Sequence, residues 1–282
     1  MRKITPNEYP ASLREIPQPP EFMYIEGSLP DPEQYTYLAV VGARRYSSYG
    51  RDACESLIAG LAGRPICIMS GLALGIDGIA HRAALRAGLP TVAVPGSGLD
   101  PSVIYPASHR ILSEEILDAG GALMSEHEPD HKAYPSDFPS RNRIMAGMCR
   151  ATLVIEAAEK SGTLITARMA LDYNRDVLVV PGSIFSPVSN GCNWLIRCGA
   201  TPIRNSVDIL DALDMIPGEQ KELPLDDLPD IERAAIELLA SPHSRDDFCT
   251  ELNLSASDGA ILVATLEIKG FIAESGGELH RV

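Results

Sequence analysis

Tyr37-Leu38-Ala39-Val40-Val41-Gly42-Ala43-Arg44 decides the fold, because five apolar residues run without interruption into a glycine and then a cation. A strand with one wet face would alternate apolar and polar residues. Unbroken apolarity instead predicts a strand covered on both sides, as in a parallel sheet with helices above and below it. The same design recurs at 66–69, 91–94, 122–124, 152–155 and 177–180, which end on Ser70-Gly71, Pro95-Gly96, Ser125-Glu126, Glu156 and Pro181-Gly182. Helical stretches are expected between these runs at 51–61, 77–87, 108–119, 142–149 and 163–173. Such alternation predicts an α/β fold, a doubly wound, Rossmann-like and mostly parallel sheet, whose ligands bind in loops at the carboxyl ends of the strands.

Outward from this core, residues 1–36 read as a proline-rich extended lead-in, 37–216 as the sheet domain and 217–229 as an acidic linker bounded by prolines. Residues 230–282 form a separate small module. Helices are expected at 231–240 and 245–252, then Ser255 as an N-cap with a helix to Glu267, then a hairpin around Gly276-Gly277. That order predicts a winged helix-turn-helix. The 282 residues, 45% of them hydrophobic, can bury a large core. No run reaches the apolar length of a membrane span and Met1-Arg2-Lys3-Ile4 lacks a signal-peptide core, so a cytoplasmic protein is expected, with no membrane partner. The six cysteines form no CxxC pair and read as reduced thiols, so no metal is expected.

A formal charge of −14 argues against a nucleic-acid partner until its distribution is considered. Residues 1–204 hold 19 Lys and Arg against 21 Asp and Glu, whereas 205–282 hold 5 against 17. The acid is mostly C-terminal, and a near-neutral domain can still carry a basic stripe. No Lys or Arg lies between Ser255 and Glu267. A third helix without cations would repel phosphate, so the winged helix is expected to contact protein rather than DNA.

The chemistry concentrates in three segments. Phe138-Pro139-Ser140-Arg141-Asn142-Arg143 combines a ring, two guanidinium groups and an amide, while Ser70-Gly71 and Ser161-Gly162-Thr163 offer hydroxyls and glycines where strands are expected to end. Together with Gly42, Arg44, Arg45 and Lys160 they suit a phosphodiester backbone and an unstacked base. Glycine lets the backbone approach an oxyanion, and an arginine fork donates bidentately to phosphate. Gly71 and Gly162 are expected at helix starts, where free amides favour anions. Prolines flanking Phe138 favour an exposed ring, against the alternative of a loop-anchoring core residue. Arg141 and Arg143 have the structural alternative of pairing with Glu156 or Asp137. Asp77 and His81, one helical turn apart, suggest a general base, but no nucleophile accompanies them. Structural roles at the site are expected for Asp77, His81 and Glu156.

The ordered set of Val41-Gly42-Ala43-Arg44, Ser70-Gly71-Leu72-Ala73-Leu74-Gly75-Ile76-Asp77 with Ala80-His81, Tyr105-Pro106, Ser125-Glu126, Phe138-Pro139 with Arg141-Asn142-Arg143, Glu156 with Ser161-Gly162, Thr166-Ala167, Pro181-Gly182, and Gly191 with Asn193, Leu195-Ile196 and Gly199-Ala200 resembles the DNA processing protein A (DprA/Smf) family. The resemblance runs from about Tyr9 to Pro202, and the terminal module resembles one that many members carry. Because the lead-in begins almost at residue 1, no counterpart of the helical N-terminal domain common in the family is expected. The resemblance implies a sequence-independent single-stranded DNA-binding protein, a recombination mediator that protects incoming DNA and helps to load the RecA recombinase in natural transformation. It implies binding rather than turnover, with no enzyme activity and no cofactor. By motif, Gly42 and Arg44 would hold phosphate, Phe138 would stack on a base, and Arg141 and Arg143 would line the groove. A homodimer is expected, with the Asn193-Trp194-Leu195-Ile196 segment as a contact.

Other readings compete. A nucleoside-monophosphate hydrolase of the lysine-decarboxylase-like fold would place Glu156 and Arg141 on a ribosyl bond. A nucleotide-sensing regulator would bind duplex through its winged helix, against the charge of that helix. His127-Glu128-Pro129-Asp130-His131 spells HExxH, but that zinc motif needs a helix and Pro129 predicts a loop. The glycine spacing from Gly42 to Gly50 does not suit a dinucleotide turn.

Overall fold

Each of the six apolar runs lies in a strand whose ends fall within one residue of the expected ones. The computed structural model describes residues 1–216, 228–239, 241–269, 271–275 and 278–281. The chain divides into two compact units, Met1–Ile216 and Pro217–Val282. Residues 217–227 of the expected linker, and the expected Gly276-Gly277 turn, lie outside the described residues.

The first unit begins with β1 (Arg2–Ile4), α1 (Ala11–Arg14), β2 (Met23–Gly27), β3 (Thr36–Val41), α2 (Ser48–Ala59), β4 (Ile66–Ser70), α3 (Ile76–Arg86) and β5 (Thr91–Ala93). It continues with α4 (Arg110–Asp118), β6 (Ala122–Ser125), α5 (Asp137–Met148), β7 (Ala151–Val154), α6 (Thr163–Asp172), β8 (Asp176–Val179), α7 (Asn190–Arg197), β9 (Thr201–Pro202) and α8 (Ser206–Ala212). The strand order is β1-β2-β6-β5-β4-β3-β7-β8-β9. From β6 to β9 every neighbouring pair is parallel, and β1 and β2 join antiparallel at the β6 edge.

Both faces of the sheet are covered, which explains the unbroken apolarity. Along β3, Tyr37, Ala39 and Val41 enter one core with α5, α6 and α7, while Leu38 and Val40 enter the other with α2, α3 and α8. Successive strand residues point to opposite faces, so every position must be apolar. The chain builds from β3 outward to β4, β5 and β6, then returns to the other side of β3 with β7, β8 and β9. The carboxyl ends of β3 and β7 therefore flank the point where the winding reverses, the usual ligand crevice of such sheets.

Two features depart from expectation. The lead-in is more than an extended segment: Met23 and Ile25 are buried while Tyr24 and Glu26 are half-buried, so β2 has the alternation of an antiparallel strand and pairs with β1 and β6. Helix α5 starts at Asp137, five residues before the expected start, because Pro139 falls in its first turn, where a missing N–H removes no helical bond.

The second unit contains α9 (Asp230–Leu238), β10 (His243–Ser244), α10 (Arg245–Glu251), α11 (Ala256–Ile268), β11 (Ile272–Ser275) and β12 (Glu278–Arg281), with an antiparallel sheet of order β10-β12-β11. Ser255 caps α11 by accepting from the Asp258 amide. Ile236, Phe248, Leu266 and Leu279 share this unit's core. Among the described residues, no helix is long and apolar enough to cross a membrane.

Candidate nucleic-acid interface

A cleft of about 420 Å³ opens at the carboxyl ends of β3 and β7, and its walls come from three places. The loop after β3 supplies Gly42, Arg44 and Arg45; the loop after β7 and the start of α6 supply Ser161, Gly162 and Thr163; α5 supplies Phe138, Arg141 and Asn142. Thr163 ties the first two walls by donating from its hydroxyl to the Gly42 carbonyl at 3.1 Å. Gly42 is needed for packing as well as for approach, since a Cβ there would sit 2.7 Å from Ile76 Cγ1. Gly162 occupies the N-cap position of α6, so the positive end of that helix dipole faces the cleft region.

The cationic feature of the cleft is a stack. The Arg44 guanidinium lies 5.0 Å from the centroid of the Phe138 ring. Phe138 is half-buried, with its ring centroid 5.6 Å from that of Tyr105 and its edge against the backbone of Gly96. Arg44 and Arg45 are exposed, and among the described residues neither pairs with a carboxylate. Two exposed guanidinium groups outside any ion pair, beside an aromatic ring, can take a phosphate and stack a base.

Arg141 corrects the sequence reading. It borders the cleft, but only 5% of the residue is exposed, and its guanidinium donates to the carbonyls of Gly71 and Val94. Its Nη2 lies 3.9 Å from the Asp77 carboxylate, so the partner is Asp77 rather than Glu156 or Asp137. Burial lowers the Arg141 pKa to about 10 against the pull of Asp77, and burial raises that of Asp77 against the pull of Arg141. The pair is an internal brace joining α5 to the loop after β4.

Four other candidates lie away from the cleft wall. Ser70 is fully buried and donates to the Val40 carbonyl at 2.6 Å, which leaves no hydroxyl proton for phosphate. Gly71 is buried in a loop, since α3 starts at Ile76 with Gly75 as its N-cap, and a Cβ at Gly71 would collide with the Arg141 guanidinium. Arg143 pairs with Glu126 at 2.5 Å and does not line the cleft. Lys160 is exposed beside Ser161 but outside the cleft lining, while Asn142 lines it and accepts from Arg141 Nε at 3.0 Å.

The structural trio is held as follows. Glu156 is buried and accepts from the Ser47 amide at 3.0 Å and the Ser47 hydroxyl at 2.5 Å, so it secures the start of α2. Ser47 was missed by sequence reasoning, although a serine followed by a helical stretch is the ordinary signal for the N-cap it forms. Asp77 accepts from the Ala73 amide at 3.4 Å. His81 pairs through Nδ1 with the Thr91 hydroxyl at 2.8 Å rather than with Asp77, and burial lowers its pKa to about 3. The segment from His127 to His131 is a loop, not a helix.

A family model described as DNA recombination-mediator protein A matches residues 1–214. Protein Smf of Escherichia coli strain K12 is 43% identical over 209 residues, covering 73% of this chain and 54% of that protein. DNA processing protein DprA of Streptococcus pneumoniae is 41% identical over 202 residues, covering 72% and 70% respectively. The chain thus spans about half the length of the first relative. The X-ray structure of DNA processing protein A from Streptococcus pneumoniae superposes with a TM-score of 0.69 at 38% identity, covering 74% of this chain and 73% of that one. A structure of DNA processing protein A from Helicobacter pylori, concerned with its single-stranded DNA binding mode, gives 0.67 at 29%, covering 75% and 95%.

Proposed function

The chain belongs to the DNA recombination-mediator protein A family, and from that membership we propose that it binds single-stranded DNA without sequence preference and acts as a recombination mediator in natural transformation. The observation that carries the reading is Arg44 stacked on Phe138 at the cleft, with Arg45 beside it and neither forming an ion pair among the described residues. Phosphates of a bound strand supply the missing negative charge, and an unstacked base takes the ring. Protection of incoming DNA and delivery to a RecA-class recombinase follow from coating that strand, and the work is binding without turnover. Titration of a labelled single-stranded oligonucleotide against its duplex tests this: preference for the single strand is expected, and equal or greater affinity for duplex would contradict it.

The hydrolase reading loses its two reactive groups. Glu156 is engaged by Ser47, and Arg141 is held by backbone carbonyls and Asp77. No release of ribose 5-phosphate from AMP is expected.

Self-association is part of the proposal. On the first unit, Ile184 is 76% exposed, Phe185 89% and Trp194 48%, an apolar cluster suited to a second copy. A Trp194→Ala protein that remains dimeric on sizing would remove Trp194 from that interface. The acidic second unit, read as a winged helix, suits a protein partner better than DNA.

A further inference from the structure

We propose that His127, His131 and Asp137 bind one divalent transition-metal cation of the zinc class, which fastens the loop between β6 and α5 to the first turn of α5. The HExxH spelling drew attention to the two histidines for a geometry they do not adopt. A turn, rather than a helix, brings them together: their rings stack at 4.1 Å between centroids and 15° between planes. Asp137 joins them through Oδ2, 2.8 Å from His131 Nε2. One ligand atom from each of the three residues lies within 4.8 Å of the others.

The site has features of a built one. The loop is pinned by backbone bonds from Gly98 N to the His131 carbonyl and from Asp100 N to the Pro129 carbonyl, both 2.9 Å, and by the His127 amide donating to Ser125 Oγ at 3.1 Å. Tyr134 N donates to Asp137 Oδ2 at 2.8 Å, which orients the carboxylate. Nε2 of His127 is buried without a hydrogen-bond partner among the described residues. A buried imidazole nitrogen with nothing to bond is costly unless something else takes its lone pair or proton.

Ligand chemistry selects the cation. Two imidazoles and one carboxylate suit zinc and its neighbours, with water completing the shell, whereas magnesium and calcium prefer oxygen donors throughout. For Nε2 of His131 to ligate, it must present its lone pair to the ion instead of bonding to Asp137 Oδ2. The imidazoles must also turn out of their parallel stack so that both lone pairs meet one ion. Only side-chain torsions change, because the backbone of the loop is already fixed.

The test reads metal alone and does not depend on the DNA-binding proposal, whose failure would show separately. Untagged full-length protein stripped with a chelator is titrated with Zn2+ by calorimetry, and with Co2+ as a spectroscopic probe. One cation per chain is expected, with a rise in unfolding temperature as Zn2+ is added. His127→Gln, His131→Gln and Asp137→Asn should each weaken binding by at least about tenfold, since even outer-shell changes can cost that much. Absence of Zn2+ binding would overturn the proposal. So would binding unchanged in both histidine variants, which would point to the exposed Cys198 or other thiols, or Mg2+ binding as tightly as Zn2+.

Discussion

Phe138 and Arg44 make different contributions at one spot, and substitutions separate them. The ring offers a face to a base, so Phe138→Ala should cost about 1–3 kcal/mol of single-strand affinity while leaving the salt dependence unchanged. Anisotropy titrations at several salt concentrations read both quantities, and a changed slope would show that the ring acts mainly by holding Arg44 in place. His81 governs stability instead. Its pKa is about 3 when folded against 6.5 ordinarily, so between those values the unfolded chain binds a proton that the folded chain refuses. This group therefore leaves stability untouched above about pH 6.5, lowers it progressively as the pH falls, and adds no further loss below about pH 3. Replacement by glutamine should flatten the acid limb of a plot of unfolding midpoint against pH; an equally steep limb would clear His81 of that role.

Helix α5 shows why some site residues were legible and others were not. The glycines, serines and cations after strands were readable because a buried parallel strand must deliver its next residues to the carboxyl-end rim, and Gly42, Arg44, Arg45, Ser161, Gly162 and Thr163 all lie there. Arg141 and Arg143 were both expected to line the groove. In a helix, residues two apart differ by about 200° in direction and cannot share a face. Arg141 consequently turns inward to Asp77 and Arg143 away to Glu126. Ser70 failed for a related reason, since the last residue of β4 still obeys strand alternation and points its hydroxyl at Val40. The lead-in strands escaped notice because β1 and β2 are short strands amid prolines, at the antiparallel end of the sheet. Arg141→Ala would leave Asp77 buried without its counter-charge, and should destabilise the first unit by about 3–5 kcal/mol in urea unfolding. A loss below about 1 kcal/mol, typical of surface positions, would show that Arg141 is no brace.

Across the whole molecule, charge and function are expected to separate. All the cleft residues belong to the first unit, and most of the net negative charge lies beyond residue 204. A chain ending at Ile216 should therefore bind single strands at least as well as the full protein; marked weakening would assign the second unit a direct part in holding DNA. The most direct test of the central claim is the salt dependence of single-strand binding by the full chain with both Arg44 and Arg45 replaced by alanine. Each phosphate contact on single strands contributes about 0.7 to the slope of log affinity against log salt, so the double variant should bind more weakly with a slope shallower by about 1.4. Unchanged affinity and slope would mean that the strand does not run through this cleft.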